Sequence, residues 1–105
     1  MATTKLWISF DLGANGDYEA MYRWLDNQHA LECGDNFAFI PKYKFEGDIR
    51  TYLKRDLIKN IKLRKPMDRV YMFSTAPLKA AFVVGGRKRA PWIGYGIAGI
   101  GGLDL

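Results

Sequence analysis

The residue best placed for chemistry is Asp11, which stands where an apolar strand runs out into a turn. It follows the alternating stretch KLWISF and precedes Gly13 and Gly16, which permit a tight turn. Hard cations such as Mg²⁺ prefer oxygen ligands and often use only one or two protein carboxylates. We therefore expect Asp11 to be a catalytic residue and a ligand for Mg²⁺ or Mn²⁺, with Asp17 as the nearest helper and a metal-activated water attacking a phosphodiester. The alternative is that Asp11 only hydrogen-bonds the turn amides of Gly13 and Ala14.

Two groups of cations are candidates for contact with nucleic acid. The first shares one face of a predicted helix and comprises Arg55, Lys59 and Lys62. The second directly follows Gly85-Gly86 and comprises Arg87, Lys88 and Arg89. A glycine-led arm would bring its three cations to a phosphate backbone, and Trp92 beside it could stack on a base. The alternative is a solvated loop with Trp92 packed into the core.

The charge of the chain is unevenly distributed. The formal charge is +5, with −3 on residues 1–46 and therefore +8 on residues 47–105. A basic half of this kind indicates either a polyanionic partner, usually nucleic acid, or a solubilising surface. One Cys and one His cannot supply a zinc site, and the single Cys33 cannot form an intrachain disulfide. No apolar run approaches the roughly 20 residues that span a bilayer, so we expect a cytoplasmic protein with no membrane partner.

The elements that position these residues follow from the spacing of the apolar side chains. Strands are predicted over residues 5–11, 30–33, 36–40 with an extension to 43, 69–74 and 79–84. One helix is predicted from a cap at Asn15 or Asp17 to about Gln28, and a second from a cap at Asp48 to before Pro66. The first helix should bury Tyr18, Met21, Tyr22 and Leu25. The second should bury a ridge of Ile49, Leu53, Leu57 and Ile61, flanked by Tyr52 and Ile58. Because Pro41 lacks a ladder donor, its strand should lie at an edge or bend there.

The order of these elements predicts an α+β fold. The pattern β-α-β-β-α-β plus one C-terminal strand is that of a ferredoxin-like split βαβ domain, an antiparallel sheet with both helices on one face. We place this single domain at residues 1–92 and a glycine-rich tail at 93–105. If Leu6, Ile8 and Phe10 face the helices, Trp7, Ser9 and Asp11 face away, and the register of the strands decides whether Phe37 and Phe39 join Trp7. Such an exposed aromatic face either stacks unpaired bases or is buried in a homodimer.

The opening of the chain resembles a known family. The strand that ends in SFDLG, with the helix DYEAMYRWL after it, is similar to the small CRISPR-associated adaptation nucleases and to the virulence-associated protein D toxins. The resemblance implies a ferredoxin-like homodimer in which the strand-one Asp, here Asp11, is associated with a divalent metal and phosphodiester cleavage. Many members of that family act mainly as nucleic-acid-binding scaffolds. The stretch from Asn36 to Ile40 and the ending GGRKRAPWIGYG depart from the family pattern, which bears on activity more than on fold.

A second resemblance is to RNA-recognition motif domains, which share the order of elements. Phe37-Ala38-Phe39-Ile40 is similar to the middle of their longer signature, but Asp35 and Asn36 stand where that signature has a cation and a glycine. Three functions are therefore open: a metal-dependent endonuclease, a non-catalytic nucleic-acid-binding scaffold, and a protein-interaction module of phage or mobile-element origin that uses the aromatic face. Nucleic-acid binding that depends on salt would favour the first two functions.

Overall fold

The computed structural model of the chain describes residues 1–96, which form a five-stranded antiparallel sheet and two helices. The elements are β1 (Ala2–Asp11), α1 (Tyr18–Asn27), β2 (Leu31–Glu32), β3 (Phe37–Phe45), α2 (Ile49–Asn60), β4 (Arg69–Thr75) and β5 (Leu78–Val84). Along the sheet the strands lie in the order β2-β3-β1-β4-β5. The α+β class is confirmed, and the arrangement is compatible with a ferredoxin-like fold. The edge strand β5 sets the sheet apart from the plain four-stranded unit.

The central strand β1 separates the two faces of the sheet as its alternation predicts. Leu6, Ile8 and Phe10 are buried in one core cluster with side chains from both helices, which therefore cover the same face. Trp7 lies on the other face, between Phe39 of β3 and Phe73 of β4. No helix in the described residues 1–96 is long and apolar enough to cross a membrane.

Helix α1 begins at Asp17, one of its two predicted caps, but is rotated relative to the predicted face. Asp17 caps the helix by accepting a hydrogen bond from the Ala20 N–H at 3.3 Å. Met21 and Leu25 are buried as predicted. The prediction for Tyr22 was wrong, since Tyr22 is 55% exposed while its neighbours Ala20 and Trp24 are buried. The reason is that the ring of Trp24 packs edge-on against Tyr43 of β3, with 6.1 Å between the ring centroids, which turns the helix toward Trp24.

Helix α2 begins after Asp48, whose carboxylate accepts a hydrogen bond from the Thr51 N–H at 2.9 Å. The predicted ridge is confirmed, because all four of its members are buried: Ile49, Leu53, Leu57 and Ile61. Ile58, predicted to flank the ridge, is 56% exposed and lines a cavity with Val83 and Val84 of β5.

The strands β2 and β3 differ in length from the prediction. Strand β2 is limited to Leu31–Glu32, while β3 continues through Pro41 to Phe45. The register of β1 against β3 shifts between Thr4 and Leu6, which pair with Tyr43 and Ile40, so the extra residue lies in the Pro41–Lys42 stretch. A bulge of this kind accommodates the missing N–H of Pro41, as the predicted bend requires.

Candidate functional site

The face of the sheet that points away from both helices, called here the open face, carries two rows of side chains across the strands. The first row crosses all five strands through Leu31, Phe39, Trp7, Phe73 and Ala80. The second row crosses four strands through Phe37, Ser9, Tyr71 and Phe82. Since two thirds of these side chains are aromatic, the open face is an aromatic surface with few polar groups.

The aromatic side chains of the open face pack against one another. Trp7 stacks on Phe39 with ring centroids 4.5 Å apart and 26° between the planes, and Phe73 lies 5.6 Å from Trp7 on its other side. In the second row, Tyr71 meets Phe82 edge-on at 4.9 Å. Phe37 and Phe73 remain 39% and 40% exposed, so both offer ring surface to a ligand.

The sequence located half of this aromatic surface. Trp7, Phe37 and Phe39 lie together on the open face, because the register pairs Trp7 with Phe39 and Ser9 with Phe37. Tyr71, Phe73 and Phe82 were missed as members of the face. The signal was present in RVYMFS, where Tyr71 and Phe73 alternate with the buried residues Val70 and Met72.

Asp11 lies at the end of β1, where it borders the open face. Arg69, at the start of β4, is its cross-strand neighbour, and Arg69 Nη2 donates to Asp11 Oδ2 at 2.8 Å. The Gly13 N–H donates to the other carboxylate oxygen at 3.3 Å. The hydrogen bond from Arg69 is the main cause that lowers the pKa of Asp11, and the charge of Lys88 lowers this pKa further. Asp11 is therefore an ionised carboxylate with both oxygens engaged.

A shallow cavity of about 390 Å³ lies beside this ion pair. It is lined by Ser9, Asp11, Arg69, Tyr71, Phe82 and Arg87. Arg87, the first cation of the predicted arm, places its guanidinium carbon 5.5 Å from the centroid of the Phe82 ring. A guanidinium over an aromatic face is a cation–π contact, which holds the charge of Arg87 at the border of the open face. Lys88 and Arg89 follow it and are exposed.

The remaining predicted residues lie away from this cavity. Trp92 is 73% exposed, so the alternative in which it packs into the core was wrong. Arg55 and Lys59 are exposed on α2, on the helical side of the sheet, and are called here the α2 basic group, whereas Lys62 lies beyond the end of α2 and not on the predicted helical face. Lys62 lines a cavity with Gly85 and Gly86, which lead into Arg87, so only Arg55 and Lys59 of the first predicted group lie apart from the second. The last nine residues of the predicted tail, 97–105, lie outside the described residues.

Asp17, predicted to help Asp11 hold a metal, is fully engaged elsewhere. One of its carboxylate oxygens accepts from the Ala20 N–H, and the other accepts from the Lys62 N–H at 3.0 Å. The hydrogen bond from Lys62 is the main cause that lowers the pKa of Asp17. Within residues 1–96 no group of three or more His, Cys, Asp or Glu side chains is arranged to hold a metal. A metal role for Asp11 and Asp17 stays a prediction.

Comparisons with known proteins add no family assignment. The chain matches no protein-family model, and neither a curated protein nor a solved structure matches it significantly.

Proposed function

We propose that this domain binds single-stranded nucleic acid on its open face. The observation that carries the proposal is the pair of aromatic rows, with Phe37 and Phe73 presenting free ring surface. Unpaired bases stack on such rings regardless of their identity, because every base has a π-face. The same surface suits a duplex poorly, since the bases of a duplex are stacked on each other and present only their edges.

The charges at the border of the open face support the same function. Arg69 and Arg87 line the cavity beside the second aromatic row, and Lys88 and Arg89 extend the basic border along the chain. A strand whose bases lie on the rings would run its phosphates along this border. Charged contacts of this kind supply most of the sequence-independent affinity for nucleic acid.

A second candidate function is protein binding on the same face, including binding to a second copy of the chain. The observation that favours it is the apolar extension of the face to both edges of the sheet, where Leu31 and Leu78 are 55% and 76% exposed. Large exposed apolar patches commonly mark protein interfaces. Such binding would depend weakly on salt, whereas nucleic-acid binding would weaken steeply as salt rises.

Metal-dependent cleavage, which the resemblance to the adaptation nucleases implies, would need more than Asp11 provides in one chain. The guanidinium of Arg69 occupies one of its carboxylate oxygens, and a cation at this position opposes a divalent metal. The residues of one chain therefore do not fit Mg²⁺ or Mn²⁺. A homodimer would have to supply a second Asp11 and release Arg69.

The experiment measures fluorescence anisotropy of labelled single-stranded and double-stranded oligonucleotides of about 20 nucleotides, longer than the sites of ~4–16 nucleotides common in single-strand binders. We expect Phe37→Ser and Phe73→Ser each to weaken single-strand binding by roughly 5- to 150-fold, the equivalent of one lost base stack of ~1–3 kcal/mol. Tyr22→Ser is the matched control for Phe73→Ser, because Tyr22 is a half-exposed aromatic residue on α1, whereas Tyr22 and Phe37 line one cavity.

Three outcomes would contradict the proposal: equal affinity for duplex, no effect of either Phe substitution, or an equal effect of Tyr22→Ser. The same substrates, incubated with Mg²⁺, Mn²⁺ or EDTA, test cleavage. Cutting that requires metal and disappears in Asp11→Asn would support the nuclease function. Self-association that both Phe substitutions abolish, without nucleic-acid binding, would favour the homodimer.

A further inference from the structure

The ion pair of Asp11 and Arg69 suggests how access to the proposed nucleic-acid site is controlled. We infer that the cavity between Asp11, Arg69 and Arg87 is a phosphate-binding subsite, in which the Asp11 carboxylate holds Arg69 until a backbone phosphate displaces it. This inference rests on the proposed function and assigns one contact within it. It gives Asp11 the role of a built-in competitor of the phosphate.

Arg69 has the properties of an anion receptor that is only partly occupied. Its side chain is only 25% exposed, so most of it is covered by neighbouring residues. One hydrogen bond to a protein acceptor is present, the bond from Nη2 to Asp11, and its Nε is buried with no hydrogen-bond partner within residues 1–96. A guanidinium has five N–H donors in a planar fork that matches two phosphate oxygens at once. Asp11 uses only part of that capacity.

Arg87 supplies a second cation to the same cavity. Its guanidinium rests over the Phe82 ring, and among the described residues it forms no ion pair with a carboxylate. Both guanidinium groups line one cavity with the Tyr71 and Ser9 side chains, whose hydroxyls are further donors. The cavity lies beside the ring of Phe82, so a nucleotide stacked in the second row would carry its phosphate to these cations.

Asp11 is well suited to compete without blocking the subsite. Its carboxylate is 52% exposed, and exposed ion pairs contribute only about 0–1 kcal/mol, so a phosphate can displace it. Because the pKa of Asp11 is lowered, mainly by Arg69, the carboxylate stays charged at neutral pH. After displacement it remains beside the phosphate and repels it. Removing the charge of Asp11 should therefore strengthen binding.

The direction of this effect separates three roles for Asp11. If Asp11 competes with phosphate, the Asp11→Asn variant should bind nucleic acid more tightly than wild type. If Asp11 is a metal ligand, the variant should show weaker metal-dependent binding or lose cleavage. If Asp11 only stabilises the turn, the affinity of the variant should not change. Asn keeps the shape of Asp and can still accept the hydrogen bond from the Gly13 N–H.

The experiment compares the affinity of wild type, Asp11→Asn and Asp26→Asn for a labelled single-stranded oligonucleotide of about 20 nucleotides, in EDTA. Asp26→Asn is the matched control, because Asp26 is an exposed aspartate on α1 and its removal changes the net charge equally. We expect Asp11→Asn to bind about two- to fivefold more tightly than wild type, and more tightly than the control, as expected from an exposed pair of ~0–1 kcal/mol. Arg69→Gln should bind more weakly than wild type and should abolish the gain when combined with Asp11→Asn.

Unchanged or weaker binding by Asp11→Asn, or an equal gain in Asp26→Asn, would overturn the inference and leave the proposed function standing. A gain that persists in the Arg69→Gln background would also overturn it, because the competition would not involve Arg69. If neither wild type nor any variant binds the oligonucleotide, the proposed function fails and the inference fails with it. Circular dichroism melting of every variant establishes that the affinities compare folded proteins.

Discussion

The strand end that carries Asp11 is fixed by an ion pair whose carboxylate is fully buried, and breaking this pair should cost a large part of the stability of the domain. Asp68, just before β4, is fully buried, and its carboxylate accepts hydrogen bonds from the Arg64 backbone N–H at 2.6 Å and from Arg64 Nη2 at 3.1 Å. The same Nη2 donates to the Leu12 carbonyl at 2.8 Å. Arg64 therefore connects the end of β1 to the start of β4, the two strand ends that hold Asp11 and Arg69.

We expect Asp68→Asn to lower the free energy of unfolding by about 3 kcal/mol. Two hydrogen bonds involve the Asp68 charge, and each such bond contributes ~1.5–3 kcal/mol. Removing one partner of a buried pair costs ~3–5 kcal/mol. The lower end applies because the Arg64 side chain is 33% exposed and can turn its charge to water. For a domain of this size the loss corresponds to a fall in Tm of roughly 10–15 °C.

Arg64→Met should cost more than Asp68→Asn, because it leaves the Asp68 carboxylate in the interior without its cation. Urea unfolding followed by circular dichroism measures both variants, and the exposed Asp26→Asn serves as control. The argument would be refuted by a loss below about 1 kcal/mol in both variants, or by a loss in the control of equal size. A milder effect of Arg64→Met than of Asp68→Asn would show that the carboxylate reaches water, against its burial in the structure.

Two further predictions concern the strand ends and the helix caps. Gly85 has φ +72°, and a Cβ there would lie 2.7 Å from the Asp68 carbonyl oxygen, so Gly85→Ala should destabilise the domain by more than about 1 kcal/mol in the same urea assay. Asp17 and Asp48 cap the helices, and hydrogen bonds from backbone N–H groups, Lys62 to Asp17 and Thr51 to Asp48, hold the pKa of each below its usual range. A lowered carboxylate pKa stabilises the fold above the unfolded value, so stability should be constant near neutral pH and fall below about pH 4, less so in Asp48→Asn.

The fold could be predicted for those strands and helices in which the spacing of apolar residues alone determines which side chains are buried. Leu6, Ile8 and Phe10 on β1 and the ridge of Ile49 and Leu53 on α2 follow from periodicity, because each element buries one continuous stripe against the sheet. The rotation of α1 could not be derived in this way. Its amphipathic pattern allows either Tyr22 or Trp24 at the border of the stripe, and the contact of Trp24 with Tyr43 on a separate strand decides between them.

The candidate site could be predicted only in part, because some of its contacts join residues of different strands. Asp11 could be identified from its place at a strand end, but its partner Arg69 lies in another strand and becomes its neighbour only through the register of β1 against β4. Phe73 and Phe82 joined the open face by the same means. Alternation predicts which face a side chain occupies within one strand, while the pairing of strands decides which side chains meet across it.

The division of charge between the two sides of the domain has a measurable consequence for nucleic-acid binding. Single strands give a salt slope of about −0.7 for each phosphate neutralised. Four cations lie at the border of the open face, Arg69, Arg87, Lys88 and Arg89, which predicts a slope of about −3. If the α2 basic group on the helical side also contacted the strand, the slope would approach −4 by the same rule. Replacing that group with Gln should therefore leave the slope unchanged. A slope that flattens in this variant would show that the nucleic acid wraps around the domain to its helical side.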